Sequence, residues 1–588
     1  MNAPNDTKGK CNHSFPIMGE VAQSAGEGLL LRIKNTGETI SVPMGASLVD
    51  VYRMSGLQMQ HGPVSARVNN KVQGLKFRFY NNKDVEFLDL TSPSGMRVYE
   101  RSLFLVLAKA VEDVFPGGQL HIVAPFSLRQ GESNGHYCEL HIGRPVTQAD
   151  AEAIEQRMRQ IVEADMPISR VQCPIEEAIE MFRSRGMESK ALLLEEQSNL
   201  YTYYYRLGDT IDYFYSCLLG STGTLRSFSL QLLDEGLLLR TPSIQNPDHL
   251  PLASSDEASA VQGEQLSVIR EYHRWLDIMG VRTVGEFNAA VRQGRATELI
   301  NISEALQEKK LSAIVDEIVA RKAKIVLLAG PSSSGKTTTS KRLSILMMAC
   351  GLHPHTLCTD DYFVNRVDTP KDENGEYDFE CIGAVDTDFF QQQMNQLLRG
   401  EEVLLPRYDF PTGERVFEDR RLKISDDDII ILEGNHALNP LFSQQIAEED
   451  KYRIYVSACT TVALDDHNYV PTVDIRLLRR ILRDYKYRGY SALDTIKRCP
   501  SVSAGEDKWI TPFAHLADAT FNSALLFELA VLRTELMPIL EQVSERQPEY
   551  SEASRLRRFL RYFRPVPAHD VPHTSLLREF LGGSSFSY

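Results

Sequence analysis

The chain has 588 residues, 43% of them hydrophobic and 24% charged, and 64 Lys+Arg set against 79 Asp+Glu leave a net charge of −15. That length exceeds one compact core, and the acidity excludes a surface that clamps nucleic acid over its whole extent. No window approaches the roughly 18–20 consecutive apolar residues of a membrane span, and nine scattered cysteines without a CxxC spacing form no disulfide framework. The composition is that of a soluble, cytoplasmic, multidomain protein with no membrane partner.

In chain order, residues 1–27 are polar and read as a mobile tail. Leu29–Ile33, a turn at Asn35–Glu38 and Thr39–Val42 read as a hairpin. A short helix over Ala46–Tyr52 and strand-like stretches at Val68, Val72, Phe77 and Phe87 complete a small α/β unit. A helix from Tyr99 to Phe115 stops at Pro116-Gly117-Gly118. Strands follow at His121–Pro125 and His136–Ile142, helices at Thr147–Ala164 and Ile175–Arg185, and strands across Arg226–Leu239. Tyr203-Tyr204-Tyr205 could stack bases, but fits a strand of mixed burial better. Thr241–Gly263, rich in Pro, Ser and Asp, is the expected linker, and helices at Gln265–Met279 and Ile302–Lys322 lead to the last region. The division is thus a tail (1–27), two small units (28–92 and 93–245), a linker with helices (246–318) and a final domain (319–588).

Lys324–Ala329 has the continuous apolar character of a buried parallel strand. Gly330-Pro331-Ser332-Ser333-Ser334-Gly335-Lys336-Thr337 follows it and fits G-x-x-x-x-G-K-[ST], and a helical pattern runs over Thr338–Ala349. Strand, glycine loop and helix in that order specify a phosphate loop. Its backbone N–H groups and the helix N-terminus would hold the phosphates of ATP along Gly330–Thr338. Lys336 would reach the β- and γ-phosphates, and Thr337 would ligate Mg²⁺. Asp360-Asp361-Tyr362-Phe363 stands at the end of the next strand, where Asp360 could accept a proton from an attacking hydroxyl or simply cap a helix. Ile429-Ile430-Ile431-Leu432-Glu433 is a second buried run ending in an acid, the shape of a metal-side strand. Arg476, Arg479, Arg480, Arg483 and Arg488 share one helical stretch, as a lid over phosphates or as solvated surface. Cys11-Asn12-His13 and His353-Pro354-His355 with Cys358 match no common zinc spacing. Asp465-Asp466-His467-Asn468 reads as a turn and cap that could order the arginine helix.

Together these residues resemble the uridine kinase/phosphoribulokinase family over Ile325 to about Lys508. The resemblance implies that Asp360 is the base and Glu433 the metal-side acid. It also implies an acceptor held by Asp378 (in Tyr377-Asp378-Phe379-Glu380), Tyr408 (in Pro406-Arg407-Tyr408-Asp409-Phe410) and Arg415. The lid pattern R-R-x-x-R-D-x-x-x-R-G recurs at Arg479 to Gly489, making Arg480, Arg483 and Arg488 catalytic. Two departures stand out: Pro411-Thr412-Gly413-Glu414 lacks the pyrimidine-reading His, and Tyr490 replaces a further lid Arg.

The amino-terminal half resembles threonyl-tRNA synthetase without its aminoacylation domain. Residues 28–92 look like a β-grasp TGS domain, through Val42-Pro43-Met44-Gly45-Ala46-Ser47-Leu48 and Ala66-Arg67-Val68-Asn69. Residues 93–240 look like the editing domain. The editing site's His-x-x-x-His aligns with Arg101 and Leu105, and its Cys-x-x-x-His with Phe214 and Leu218. With all four lost, the expectation is a binding or regulatory scaffold for RNA or a protein partner. The expected whole is a multidomain α/β protein: β-grasp unit, α+β editing-like unit and parallel-sheet phosphate-loop domain. The expected activity is Mg²⁺- and ATP-dependent phosphorylation of a nucleoside-like acceptor. A sugar-phosphate kinase and an ATP-sensing binding protein with little turnover are the alternatives.

Overall fold

The computed structural model describes residues 28–128, 133–248, 250, 257–371, 375, 377–459 and 462–588. The expected tail, with Cys11-Asn12-His13, and residues 251–256 of the expected linker lie outside the described residues.

The first unit is a five-stranded mixed sheet. Gly28–Ile33 and Glu38–Pro43 form the antiparallel hairpin, and Lys83–Leu88 lies parallel to Gly28–Ile33 between it and Ser65–Val68. The strand order 2-1-5-3-4 is that of a β-grasp. Its one helix, Leu48–Ser55, starts at a reciprocal Ser47–Asp50 capping box and stops at Gly56, whose φ of 65° admits a left-handed turn. Leu48 and Val51 face the sheet and are wholly buried.

In the second unit the helix Pro93–Val114 is buried along most of its length. A four-stranded antiparallel sheet is built from Gln119–Leu128, Ser133–His141, Gly236–Pro242 and Ser229–Leu233. A three-stranded sheet carries Ile168–Pro174, Tyr201–Leu207 and Thr210–Asp212. The tyrosine run lies in the middle strand of this second sheet.

The expected linker is shorter than the sequence indicates. Thr241 and Pro242 continue a strand because Asn134 and Ser133 pair with them across the sheet, a partner invisible to local composition. The helix Glu257–Met279 takes the other end. A further helix, Val284–Arg292, opens on a Thr283–Glu286 capping box that the sequence reading passed over.

The last unit is a five-stranded parallel sheet in the order His353–Cys358, Asp428–Glu433, Ile325–Ala329, Lys451–Ser457, Ala519–Asn522. All five residues of the central strand are buried, as expected of a strand covered on both faces. Its core is continuous with the second unit: Leu193 and Tyr215 belong to the same apolar cluster as Val326, Ile454 and Phe559.

The Asp465–Asn468 segment is a turn, as expected, but it grips the second unit rather than serving as a cap that orders the arginine helix. The Lys190 ammonium lies 2.8 Å from Asp465 and 2.7 Å from Asp212, and His467 Nδ1 lies 2.7 Å from Asp212. Lys190, Asp212 and Asp465 are fully buried. Burial alone would push the Asp212 carboxyl up, but Lys190 and His467 outweigh it and hold it down, at about 2. Such a clasp cannot lose one member cheaply.

Candidate active site

The sheet delivers its chemistry at the carboxyl ends of three adjacent strands. Ile325–Ala329 leads into the glycine loop, and the loop turns into the helix Lys336–Ala349. Gly335 takes φ 89°, and a Cβ at Gly330 would lie 2.3 Å from the Val456 carbonyl oxygen, so both positions require glycine. Ser333, at φ 60°, is a non-glycine residue in the left-handed region.

Lys336 Nζ donates to the carbonyls of Gly330 (2.7 Å) and Pro331 (3.2 Å) and to Asn435 Oδ1 (2.8 Å). Burial lowers its pKa, opposed by the nearby carboxylates of Glu433, Asp360, Glu506 and Glu579. Thr337 Oγ1 donates to Glu433 Oε1 at 2.6 Å, bringing the two expected metal-side residues together. Burial raises the Glu433 carboxyl, countered by Thr337 and Lys336 and reinforced by Glu579 and Asp360. Among the described residues no three His, Cys, Asp or Glu are grouped to hold a metal by themselves. One hydroxyl, one carboxylate and surplus negative charge nevertheless suit Mg²⁺, which takes few protein ligands and keeps water and phosphate oxygens.

Asp360 lies in the turn Thr359–Tyr362, directly after the strand His353–Cys358. Crowding around the carboxyl raises its pKa through burial and Asp361, against Lys336 and Arg488. The residue as a whole keeps exposed surface, and access to water moderates that shift.

The five arginines divide into two groups. Arg476 holds Glu506 through two 2.7 Å bonds, and Glu506 accepts from the Ser332 N–H at 3.1 Å. Arg479 is fully buried, reaches the Ser333 and Ser334 carbonyls at 3.4 and 3.5 Å, and pairs with Glu528 at 2.5 Å. Both therefore brace the loop from behind. Arg480, Arg483 and Arg488 converge on the single carboxylate of Asp484, at 3.4, 2.9 and 3.6 Å. Three cations on one carboxylate leave net positive charge, and burial together with Arg488 lowers the Arg483 pKa.

The expected acceptor residues are less uniform. Asp378 Oδ1 caps the Glu380 N–H at 3.1 Å. Tyr408 is buried between Phe363 and Phe410, and among the described residues its hydroxyl has no hydrogen-bond partner. Arg415 is committed to Asp386, with two 3.0 Å bonds, and to the Phe363 carbonyl at 3.1 Å.

Several neighbours of the site escaped the sequence reading. Asn435 and His436 follow Glu433 after Gly434, and their place just past a strand end was the available signal. His436 is buried, with no partner for Nδ1 among the described residues, and burial, aided by Lys336, pushes its pKa down to about 4. Glu579, some 240 residues beyond the loop, accepts from the Thr338 N–H (3.3 Å) and Oγ1 (2.6 Å). No local pattern announces it. Leu576 packs over Gly335, and the Tyr588 hydroxyl lies 2.8 Å from Thr338 Oγ1, so the carboxy-terminal segment covers the start of the loop helix. His353-Pro354-His355 is strand, with His355 Nε2 on Asp428 at 2.6 Å.

Residues 325–526 match the Phosphoribulokinase / Uridine kinase family. The amino-terminal region is similar to threonine–tRNA ligases. The Rubrobacter xylanophilus enzyme is 29% identical over 195 residues, 33% of this chain and 29% of that one. The Syntrophotalea carbinolica enzyme is 32% identical over 176 residues, 30% of this chain and 27% of that one. The chain therefore spans less than a third of the length of these curated relatives. Among solved structures, a D-glycerate 3-kinase from Cryptococcus neoformans has a TM-score of 0.20 at 14% identity, covering 43% of this chain and 87% of that one. Residues 325–526 of this chain thus match the model of the Phosphoribulokinase / Uridine kinase family, and they follow an amino-terminal region similar to threonine–tRNA ligases.

Proposed function

We propose that the carboxy-terminal domain transfers the γ-phosphoryl group of ATP to a hydroxyl of a small sugar-bearing acceptor, the 5′-hydroxyl of a nucleoside. One observation carries the reading: Lys336, the Thr337–Glu433 pair, Asp360 and the Arg480–Arg483–Arg488 cluster meet at one edge of the parallel sheet. In this reading the loop N–H groups and Lys336 hold the phosphates, and Lys336 exchanges its loop carbonyls for phosphate oxygens. Thr337 and Glu433 would hold Mg²⁺, which neutralises phosphate charge when bound. Asp360, made more basic by its crowded setting, takes the proton of the attacking hydroxyl. The arginine cluster then closes on the transferring group, exchanging Asp484 for charge that grows in the transition state. Asp378 and Tyr408 would contact the acceptor, and Arg415 would shape its pocket through Asp386.

The test is a panel of nucleosides and sugar phosphates, with ATP and Mg²⁺, on the full-length protein. Phosphorylation of one nucleoside supports the reading, and turnover of a sugar phosphate instead moves the acceptor class. A second reading, an ATP sensor with little turnover, draws on Glu579, whose carboxylate sits against Thr338 where phosphate is expected. ATP binding without consumption by any acceptor would favour it.

A further inference from the structure

A cleft of about 470 Å³ lies away from the phosphate loop, where all three units meet. The first unit gives Lys71 and the second Arg97, Arg101, Arg170 and a wall of tyrosines. The last unit gives Arg555, Arg558 and Arg561. Among the described residues, seven cationic side chains line the cleft and no acidic one does, in a chain of net charge −15. Arg97 and Arg555 share Glu552, and Arg555 also holds Asp474 through two 2.6 Å bonds. Among the described residues, Arg101, Arg170, Arg558 and Arg561 have no carboxylate within ion-pair distance. Arg101 is nine-tenths buried, stacked 4.2 Å over Tyr215 and bonded to its hydroxyl at 2.5 Å. Arg170 stacks 3.7 Å over Tyr203. Holding like charges together this way costs folding energy unless an anion repays it.

We propose that this cleft is a second ligand site, taking a multiply phosphorylated nucleoside. Guanidinium forks match phosphate oxygens, the exposed ring of Tyr201 offers a face for a base, and the volume lies within the ~300–1,000 Å³ usual for small-molecule sites. Arg555 links the cleft to the arginine helix through Asp474. Asp474 sits in the first turn of Thr472–Arg483, so phosphate drawing on Arg555 loosens its hold on that helix.

The test uses the full chain with Lys336→Ala, which removes the loop's cation and so weakens nucleotide binding there relative to the cleft. ATP, UTP, inorganic tripolyphosphate and a short oligoribonucleotide are the probes, titrated by calorimetry. One equivalent of ATP or UTP should bind more tightly than tripolyphosphate. Adding Arg170→Glu and Arg558→Glu, both exposed positions, should weaken that binding about a hundredfold, with the unfolding midpoint retained as a control. Bound nucleotide should also change amide hydrogen exchange over 472–488. Absence of nucleotide binding, binding indifferent to the double reversal, or a preference for the oligoribonucleotide alone would each overturn the site. Unchanged exchange would overturn its link to the arginine helix. None of these readouts depends on kinase turnover, so the site and the proposed activity stand or fall separately.

Discussion

Replacing Glu579 by Gln should tighten ATP binding. Its carboxylate accepts two hydrogen bonds from Thr338, at the amino end of the loop helix, and raises the pKa of Glu433. A carboxylate there gains about 0.3–1 kcal/mol from the helix dipole, and a hydrogen bond to a charged group contributes about 1.5–3 kcal/mol net. If ATP takes the same N–H and hydroxyl, it must first displace this anion. Glutamine keeps an acceptor and loses the charge, so about 1.5 kcal/mol of competition disappears, roughly a tenfold fall in the ATP dissociation constant. Equilibrium titration of ATP against the wild-type and E579Q proteins measures this directly. Equal affinity, or weaker binding in the variant, would show that Glu579 does not contest the phosphate position.

Three further outcomes follow from named contacts. Asp360→Asn should lower kcat by about 10²–10⁴-fold, the usual worth of a general base, while the ATP dissociation constant moves less than about threefold; near-normal turnover removes the base assignment. Lys190→Met strands Asp212 and Asp465 in the core, and chemical denaturation should register a loss of about 3–5 kcal/mol. His436 has a folded pKa of about 4 against 6.5 unfolded, so between those values the unfolded chain binds more protons. Stability should therefore fall as pH is lowered from 6.5 to 4, by about 3 kcal/mol in all, and His436→Asn should flatten that part of the unfolding-midpoint profile.

The phosphate loop, Asp360, Glu433 and the arginine run were legible because each is a short pattern whose chemistry depends on neighbours in sequence. A glycine turn, an acid ending an apolar strand and cations at helical spacing need no distant partner to be recognised. Capping boxes at Ser47 and Thr147 mark helix starts in the same local way. What the sequence could not apportion was the division of labour. Arg476 and Arg479 look like Arg480 and Arg483 along the chain, yet Glu506 and Glu528 claim the first two from other elements. Arg415, expected from the sequence to hold the acceptor, is likewise claimed by Asp386.

By itself, then, the sequence determined the strand–loop–helix signature and the strand ends beside it, because periodicity and turn geometry act over a few residues. Only the tertiary structure decided which charges are satisfied: Glu579 against Thr338, Lys190 between Asp212 and Asp465, and the arginines of the cleft between the units. Charge pairing depends on distance in space, and these partners lie tens to hundreds of residues apart.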